Sequence, residues 1–285
     1  MKTFLIVVVA LFVIAGVAFG FLAWGPYSLL AAYQGDVDRA LARVPPAGPV
    51  VTDADLAHLP APVQRYLRTS GVVGRPRVRN FRARMHGRIR SGRDAPWISL
   101  SAEQYNFIDE PARLFYLTGS MSMIPVQGYH RYVGQAATMR IKAAALATVV
   151  DASGDEMTQS ETVTLFNDMC VIAPATLIDP AITWEAGGAR TARASFTNAG
   201  HTIRAELLFN DAGELANFVS DDRLQASPDG KSATSMRWST PLGGYRSFGP
   251  IRLAATGEGR WHETAGDYAY IELTFDDVRY NLACR

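Results

Sequence analysis

His58, His86, His130, His201 and His262 stand singly along the chain, with no His-x-x-x-His and no Cys-x-x-Cys spacing, so no ready set of zinc ligands is signalled. Gly-x-Ser-x-Gly, a phosphate loop and a dinucleotide fingerprint are likewise missing; Ser70-Gly71-Val72-Val73-Gly74 and Gly243-Gly244 read as turns, and no cofactor is expected. Two carboxylates, Glu161 and Glu185, lie near the one strong interior helix signal. They would act as general acid and base only if the fold made them converge. Capping for Glu161 and a surface or paired role for Glu185 are the plainer readings. Asp221-Asp222-Arg223 reads as a turn network at a strand end.

The residue types that remain point to the chemistry of an apolar ligand. Trp97, Tyr105, Phe107, Phe115, Met121, Met123, Tyr129 and Tyr132 fall on expected strands or their ends, and Phe166, Met169, Pro174 and Trp184 on or beside the expected helix. A curved sheet facing a helix would make of them an apolar pocket with few polar anchors, to which methionines adapt well. The alternative is that these side chains simply fill the core. The arginine run from Arg75 to Arg93, with Arg82, Arg84, Arg88 and Arg90 on one strand face, would meet anionic lipid headgroups, or would be a solvated face paired with acidic neighbours. Nucleic acid is not expected as a partner, because no aromatic stacking platform accompanies the basic groups.

The elements that must position these residues show in the periodicity. From Asn80, apolar Phe81, Ala83, Met85 and Ile89 alternate with Arg82, Arg84, His86, Arg88 and Arg90, the two-residue repeat of a half-buried strand. Trp97–Phe107, Arg113–Thr118, Gly128–Val133, Thr138–Ala143 and Ala147–Val150 continue an antiparallel meander. Thr158-x-x-Glu161 predicts a capping box opening a helix whose apolar side carries Val163, Phe166, Met169, Cys170, Ala173 and Leu177, bent or ended at Pro174. Strands then resume after Trp184, in Arg190–Thr197, His201–Phe209, Glu214–Ser220, Ser232–Trp238, Ala254–His262 and Tyr268–Phe275, with a hairpin turn at Asn210-Asp211-Ala212-Gly213. No crossover helices separate the strands, so a parallel sheet is not expected.

At the other end of the chain, Thr3 to Trp24 carries no charged residue. It is long enough to cross about 30 Å of hydrocarbon, and Trp24 and Tyr27 stand where interfacial aromatics belong. Residues 1–26 are therefore a membrane signal anchor, or a signal peptide cut after the small residues near Ala18 and Gly20. Residues 27–50 read as a juxtamembrane helix followed by a proline-rich linker, and 51–285 as one β domain, opened by a short helix capped at Thr52 and Asp53 and carrying Leu56, Leu59, Val63, Tyr66 and Leu67. A formal charge of +1 projects no strong field, and 48% apolar residues are enough for a sizeable core. Cys170 and Cys284 are the only cysteines; outside the cytoplasm they would form a bridge or stay two independent thiols.

Gln64-Arg-Tyr-Leu-Arg-Thr-Ser-Gly-Val-Val-Gly-Arg-Pro76, Ser101-Ala-Glu-Gln-Tyr105, Ile182-Thr-Trp-Glu185, Phe209-Asn-Asp-Ala-Gly-Glu-Leu215 and Asp222-Arg223 resemble a bacterial family known only as a domain of unknown function, from about Leu59 to Asn281. The element order is also similar to the periplasmic lipoprotein-carrier (LolA/LolB-like) fold. That resemblance implies an α+β domain, a large curved antiparallel half-barrel wrapped around one central helix, here behind an N-terminal transmembrane helix. The uncharged N-terminal segment adds what soluble carriers of that fold lack: it makes this a tethered protein of the bacterial envelope, inner-membrane anchored with its domain on the periplasmic or extracellular side, which argues against free shuttling. Such a protein would bind or transfer a lipid or another apolar molecule in the cavity; an enzyme acting on that ligand, or an assembly partner in an envelope complex, are the alternatives.

Overall fold

Alternating apolar positions demand a partner surface, and in the computed structural model, which describes residues 1–46, 48–226 and 233–283, one sheet supplies it for nearly every strand. β1 (Asn80–Ile89), β2 (Ile98–Phe107), β3 (Ala112–Met121), β4 (Ile124–Val133), β5 (Ala136–Ala143) and β6 (Ala147–Ser153) run as an antiparallel meander. A second arm holds β7 (Ile182–Ala186), β8 (Thr191–Asn198), β9 (His201–Phe209) and β10 (Leu215–Ser220). β11 (Trp238–Ser239), β12 (Leu242–Gly243), β13 (Thr256–Glu263) and β14 (Gly266–Tyr280) join the arms. The resulting 14-stranded open sheet has the order β6-β5-β4-β3-β2-β1-β14-β13-β11-β10-β9-β8-β7, with β12 beside β13. Bulges at Arg84/Met85 and Gly259/Arg260 mark the seam where the sheet bends.

Between the arms lies α5 (Asp155–Ile172), followed by a 3-10 turn over Pro174–Ile178. From Ser160 to Ile178 every residue is buried, which is why this helix shows no clean polar stripe. Its threonines are satisfied locally: the Thr162 hydroxyl donates to the Thr158 carbonyl at 2.8 Å and Thr164 to the Ser160 carbonyl at 3.1 Å. The expected capping box does not form. The helix starts three residues earlier, after Gly154 with φ of 105°, and Glu161 turns inward to a buried arginine. The helix stops before Pro174, whose ring could not continue it. Phe166, fully buried, stacks on Phe196 at 5.2 Å and meets Phe218 edge-on at 5.7 Å.

The N-terminal elements are α1 (Lys2–Trp24), α2 (Leu29–Leu41), α3 (Asp53–Leu56) and α4 (Ala61–Thr69). Thr52 and Asp55 form a reciprocal cap on α3, and Pro60 divides α3 from α4. α1 is long and apolar enough to cross a membrane by length and composition, and its membrane-length window has no buried residue. α2 is no loose tether. Its Leu29, Tyr33, Val37 and Leu41 pack with Tyr105, Leu114, Tyr116 and Tyr129 of β2–β4 in a second apolar cluster on the outer face of the sheet. Asp36 of α2 accepts from Arg131 at 2.9 Å and from the Tyr129 hydroxyl at 2.8 Å.

Burial pushes the Asp36 carboxyl up, but Arg39, Arg131 and Tyr129 outweigh it and hold it below its usual 3.8. A carboxylate depressed on folding contributes stability that is present above its usual pKa and lost as pH falls below it. An Asp36→Asn variant is therefore expected to lose stability less steeply than the native chain below pH 3.8, in denaturation curves taken as a pH series; parallel curves would show that Asp36 carries no docking contact.

Candidate functional site

Because β-strand side chains alternate, the inner face of β2–β5 is set by register and falls into rows. Nearest the β2–β3 turn stand Asn106, Arg113, Tyr132 and Ala137, and next to them Gln104, Phe115, His130 and Met139. Beyond these come Ala102, Leu117, Gly128 and Ile141, then Leu100, Gly119, Val126 and Ala143. The face thus grades from polar to wholly apolar toward the β3–β4 and β5–β6 turns.

α5 crosses the polar end and closes it. Arg113 donates through Nε to Asp168 at 2.7 Å and through Nη1 to Glu161 at 3.0 Å. Asp168 Oδ2 also accepts from Gln104 at 2.7 Å and Asn106 at 3.2 Å. His130 Nδ1 lies 3.9 Å from Glu161, and Arg223, held over the Trp238 ring at 4.4 Å, donates to Thr164. Tyr132 completes the row through Thr162 and Asn198. Burial pushes the Glu161 carboxyl up, yet Arg113 and His130 outweigh it and the acid ends below its usual range. For Asp168 burial wins over Arg113, and its pKa is raised. One guanidinium thus serves two carboxyls of unequal acidity. Such a pair can hold a proton, but Gln104, Asn106, Glu161 and Asp168 are all buried; only His130 and Arg223, partly exposed, reach the rim. As built, the cluster clamps helix to sheet. Glu185, the other carboxylate singled out by the sequence, is exposed on β7 and does not converge with Glu161. Among the described residues no group of three or more His, Cys, Asp or Glu side chains comes together to hold a metal ion.

The apolar end of the face is only partly covered. Val126, Met139, Ile141 and Ala143, with Ile89 and, across the seam, Ile271 and Leu273, remain half-buried, an apolar strip referred to below as the trough, at the end of the face nearest the two turns. The wide cavity expected between sheet and helix is otherwise filled by α5 itself. Two hollows flank this core: one of 180 Å³ bounded by Val72, Val78, Pro174, Ile251 and Tyr280, and an open one of 520 Å³ bounded by Gly87, Arg88, Leu242, Glu258, Glu272 and the Leu273 of the strip just described.

The aromatic and methionine residues singled out above divide by face. Phe115 and Tyr132 are on the inner face, Phe166 and Met169 are on α5, and Trp184 is partly buried with its indole donating to the Leu177 carbonyl at 3.2 Å. Tyr105, Phe107 and Tyr129 must be corrected: they point to the outer face, where α2 covers them, and line no pocket. Trp97 lies outside too, between the guanidiniums of Arg88 at 4.4 Å and Arg90 at 4.6 Å. Met121 and Met123 sit at the β3–β4 turn, 41% and 95% exposed. The arginine face is also corrected as a free basic surface. Arg82 pairs with Asp277 at 2.7 Å, Arg84 with Glu103 at 3.0 Å and Arg88 with Glu272 at 2.7 Å, while Arg90 donates to the Ala269 carbonyl. Cross-strand carboxylates thus neutralise three of the four charges. Cys170 is a buried free thiol, and Cys284, the other half of the considered bridge, lies outside the described residues.

Arg113, Asp168, Gln104 and Asn106 were not singled out by the sequence. Their one signal is a polar side chain inside an apolar run, as in Ala112-Arg-Leu-Phe-Tyr-Leu117.

A family model described as a family of unknown function (DUF6544) matches residues 49–273. No curated protein matches the chain. Similar solved structures include a putative outer membrane lipoprotein-sorting protein domain from Vibrio parahaemolyticus, 10% identical, with a TM-score of 0.40 and coverage of 71% of this chain and 85% of that one. A DUF1329 family protein from Desulfovibrio piger is 10% identical, with a TM-score of 0.43 and coverage of 78% and 92%. A LolA superfamily protein from Nitrosomonas europaea is 7% identical, with a TM-score of 0.35 and coverage of 77% and 94%.

Proposed function

The chain belongs to the DUF6544 family, and because that family's function is unknown we propose one from the geometry: a membrane-tethered envelope domain that holds the apolar chain of a lipid or lipid-linked molecule in the trough on the inner face of its sheet. One observation carries this reading. Two successive rows of the inner face, from Ala102 to Ile141 and from Leu100 to Ala143, carry no polar side chain, yet Val126, Ile141 and Ala143 are left partly open to solvent. Apolar surface left open on the face that otherwise forms the core is unfavourable unless something covers it; at about 25 cal/mol per Å², an acyl chain laid along it would gain several kcal/mol. α1, long and apolar enough to cross a membrane by length and composition, supports this reading, since a bilayer would be a source of such chains beside the domain.

The test is an acyl-chain probe. The full chain in detergent-free nanodiscs is expected to take up a fluorescent fatty acid and to carry lipid through native mass spectrometry, and Ile141→Asp is expected to weaken probe binding tenfold or more, since a carboxylate in an apolar site costs over about 1.4 kcal/mol. Ile141 is half-buried, so the variant should fold. A native chain that ignores the probe, or a variant that binds it equally, would overturn the reading.

A further inference from the structure

Two turns at the open end of the trough break the usual rules of β-hairpins. Ser122 and Met123, joining β3 to β4, have φ of 49° and 70°, and Ala144 and Ala145, after β5, have φ of 50° and 57°. Glycine and asparagine are the residues that accept this left-handed backbone without strain. Here the four positions hold a serine, a methionine and two alanines, and although Ala145 is buried, the larger apolar side chains at and beside the turns are exposed: Met123 95%, Leu146 71%, Val149 55%, Ile124 44% and Met121 41%. The turns are neighbours, tied by the Ala144 amide donating to the Pro125 carbonyl at 2.7 Å. Together they form one apolar ridge; among the described residues the other exposed large apolar side chains are those of α1, Tyr27 just after it, Val50 and the N-terminal Met1.

The occupant that covers this ridge follows from where α1 ends. Gln127 of β4 donates to the carbonyl of Ala23, in the last turn of α1, at 3.3 Å. Gln127 lies three residues from Ile124, so the ridge stands about 10 Å along the strand from that contact, at about 3.3 Å per residue. Exposed Trp24 and Tyr27 mark the same end of α1, and such aromatics settle at the lipid interface. α2, which follows α1 after a short turn, packs along the outer face of β2–β4, the sheet that carries the ridge. Trp97 precedes β2 at this end of the sheet, beside Arg88 and Arg90 that are already paired with Glu272 and the Ala269 carbonyl, and Lys142 lies one residue from the end of β5. Aromatic and cationic side chains around an apolar tip are the composition of an interfacial membrane contact.

We propose that the β3–β4 and β5–β6 turns dip their apolar side chains into the bilayer that α1 spans, so that the domain sits on the membrane with the mouth of its trough against the lipid. The proposal rests on α1 as a membrane span and not on what the trough binds, and its test does not depend on ligand.

Single cysteines are placed at Met123→Cys and Leu146→Cys on the ridge and at Glu110→Cys in the opposite, β2–β3 turn, in full-length protein carrying Cys284→Ser, Cys170 being buried. Each is labelled with an environment-sensitive fluorophore and reconstituted in phosphatidylcholine nanodiscs with or without brominated acyl chains. The labels at 123 and 146 are expected to emit blue-shifted and to be quenched by the brominated chains several-fold more than the label at 110. All three positions are exposed, so none of the substitutions opens the core, and the two ridge labels check each other. Equal quenching at 110, 123 and 146 would overturn the proposal and leave the ridge as a surface for a protein partner.

Discussion

Replacing Arg113 with methionine is expected to destabilise the domain by about 3–5 kcal/mol, because removing one partner of a buried charge cluster leaves the other charges uncompensated. Asp168 and Glu161 would then lose their shared cation, Asp168 keeping Gln104 and Asn106 as neutral donors and Glu161 the Thr164 hydroxyl. Urea unfolding of the full chain, followed by tryptophan fluorescence, measures the loss. Adding Glu161→Gln and Asp168→Asn to Arg113→Met removes the stranded charges, and this triple variant is expected to regain most of the stability. A single-variant loss under about 1 kcal/mol, the range of exposed ion pairs, would mean that water reaches the cluster.

The second large effect is expected at Tyr33, far from the trough. Its ring stacks on Tyr116 at 5.4 Å, meets Tyr129 edge-on at 5.6 Å, and its hydroxyl donates to Glu103 at 3.1 Å. Truncation of a buried aromatic to alanine costs about 3–5 kcal/mol, and here the loss falls on one amphipathic helix that has only the outer sheet face to hold it. Tyr33→Ala is therefore expected to release α2 without unfolding the sheet: amide exchange rises across residues 29–41 while β1–β6 stay protected. Uniform loss of protection would instead make α2 part of the same cooperative unit as the sheet.

Much of this architecture was legible. β1 alternates in sequence because its inner face packs on the core while Arg84, His86 and Arg88 of its outer face stay exposed, Arg82 alone being buried there beside Asp277, and the turn at Asn210–Gly213 forms where Asn, Asp and Gly gather, with Gly213 at a φ of 80°. Periodicity tells which residues share a face, but not which face is inside. Tyr105, Phe107 and Tyr129 were assigned to a cavity because nothing local reveals that α2, from before the domain, covers the outer side of β2–β4. With both faces covered, these strands read as nearly continuous apolar runs. The helix was misread at its start for a related reason: Thr158 and Glu161 have the spacing of a cap, and only the presence of Arg113, 48 positions away in the chain, turns Glu161 inward. The clamp was hidden because each of its members is ordinary alone.

The seam between β1 and β14 has a consequence for how the molecule comes into being. Arg82 finds Asp277 across 195 positions of chain, and the strands on either side of that pair cannot close until nearly all of the protein has been made. Hairpins β1 to β6 need only local contacts and can assemble early, but β1 then presents an unpaired edge until the last strand arrives. On the proposed reading of α1 as a membrane span, that helix would emerge before the sheet and hold its half-built strands at the bilayer surface, diluted in two dimensions and away from other nascent chains. Biogenesis, rather than equilibrium stability, is thus the stage at which a lost anchor should show first, as aggregation of chains that would be sound once finished.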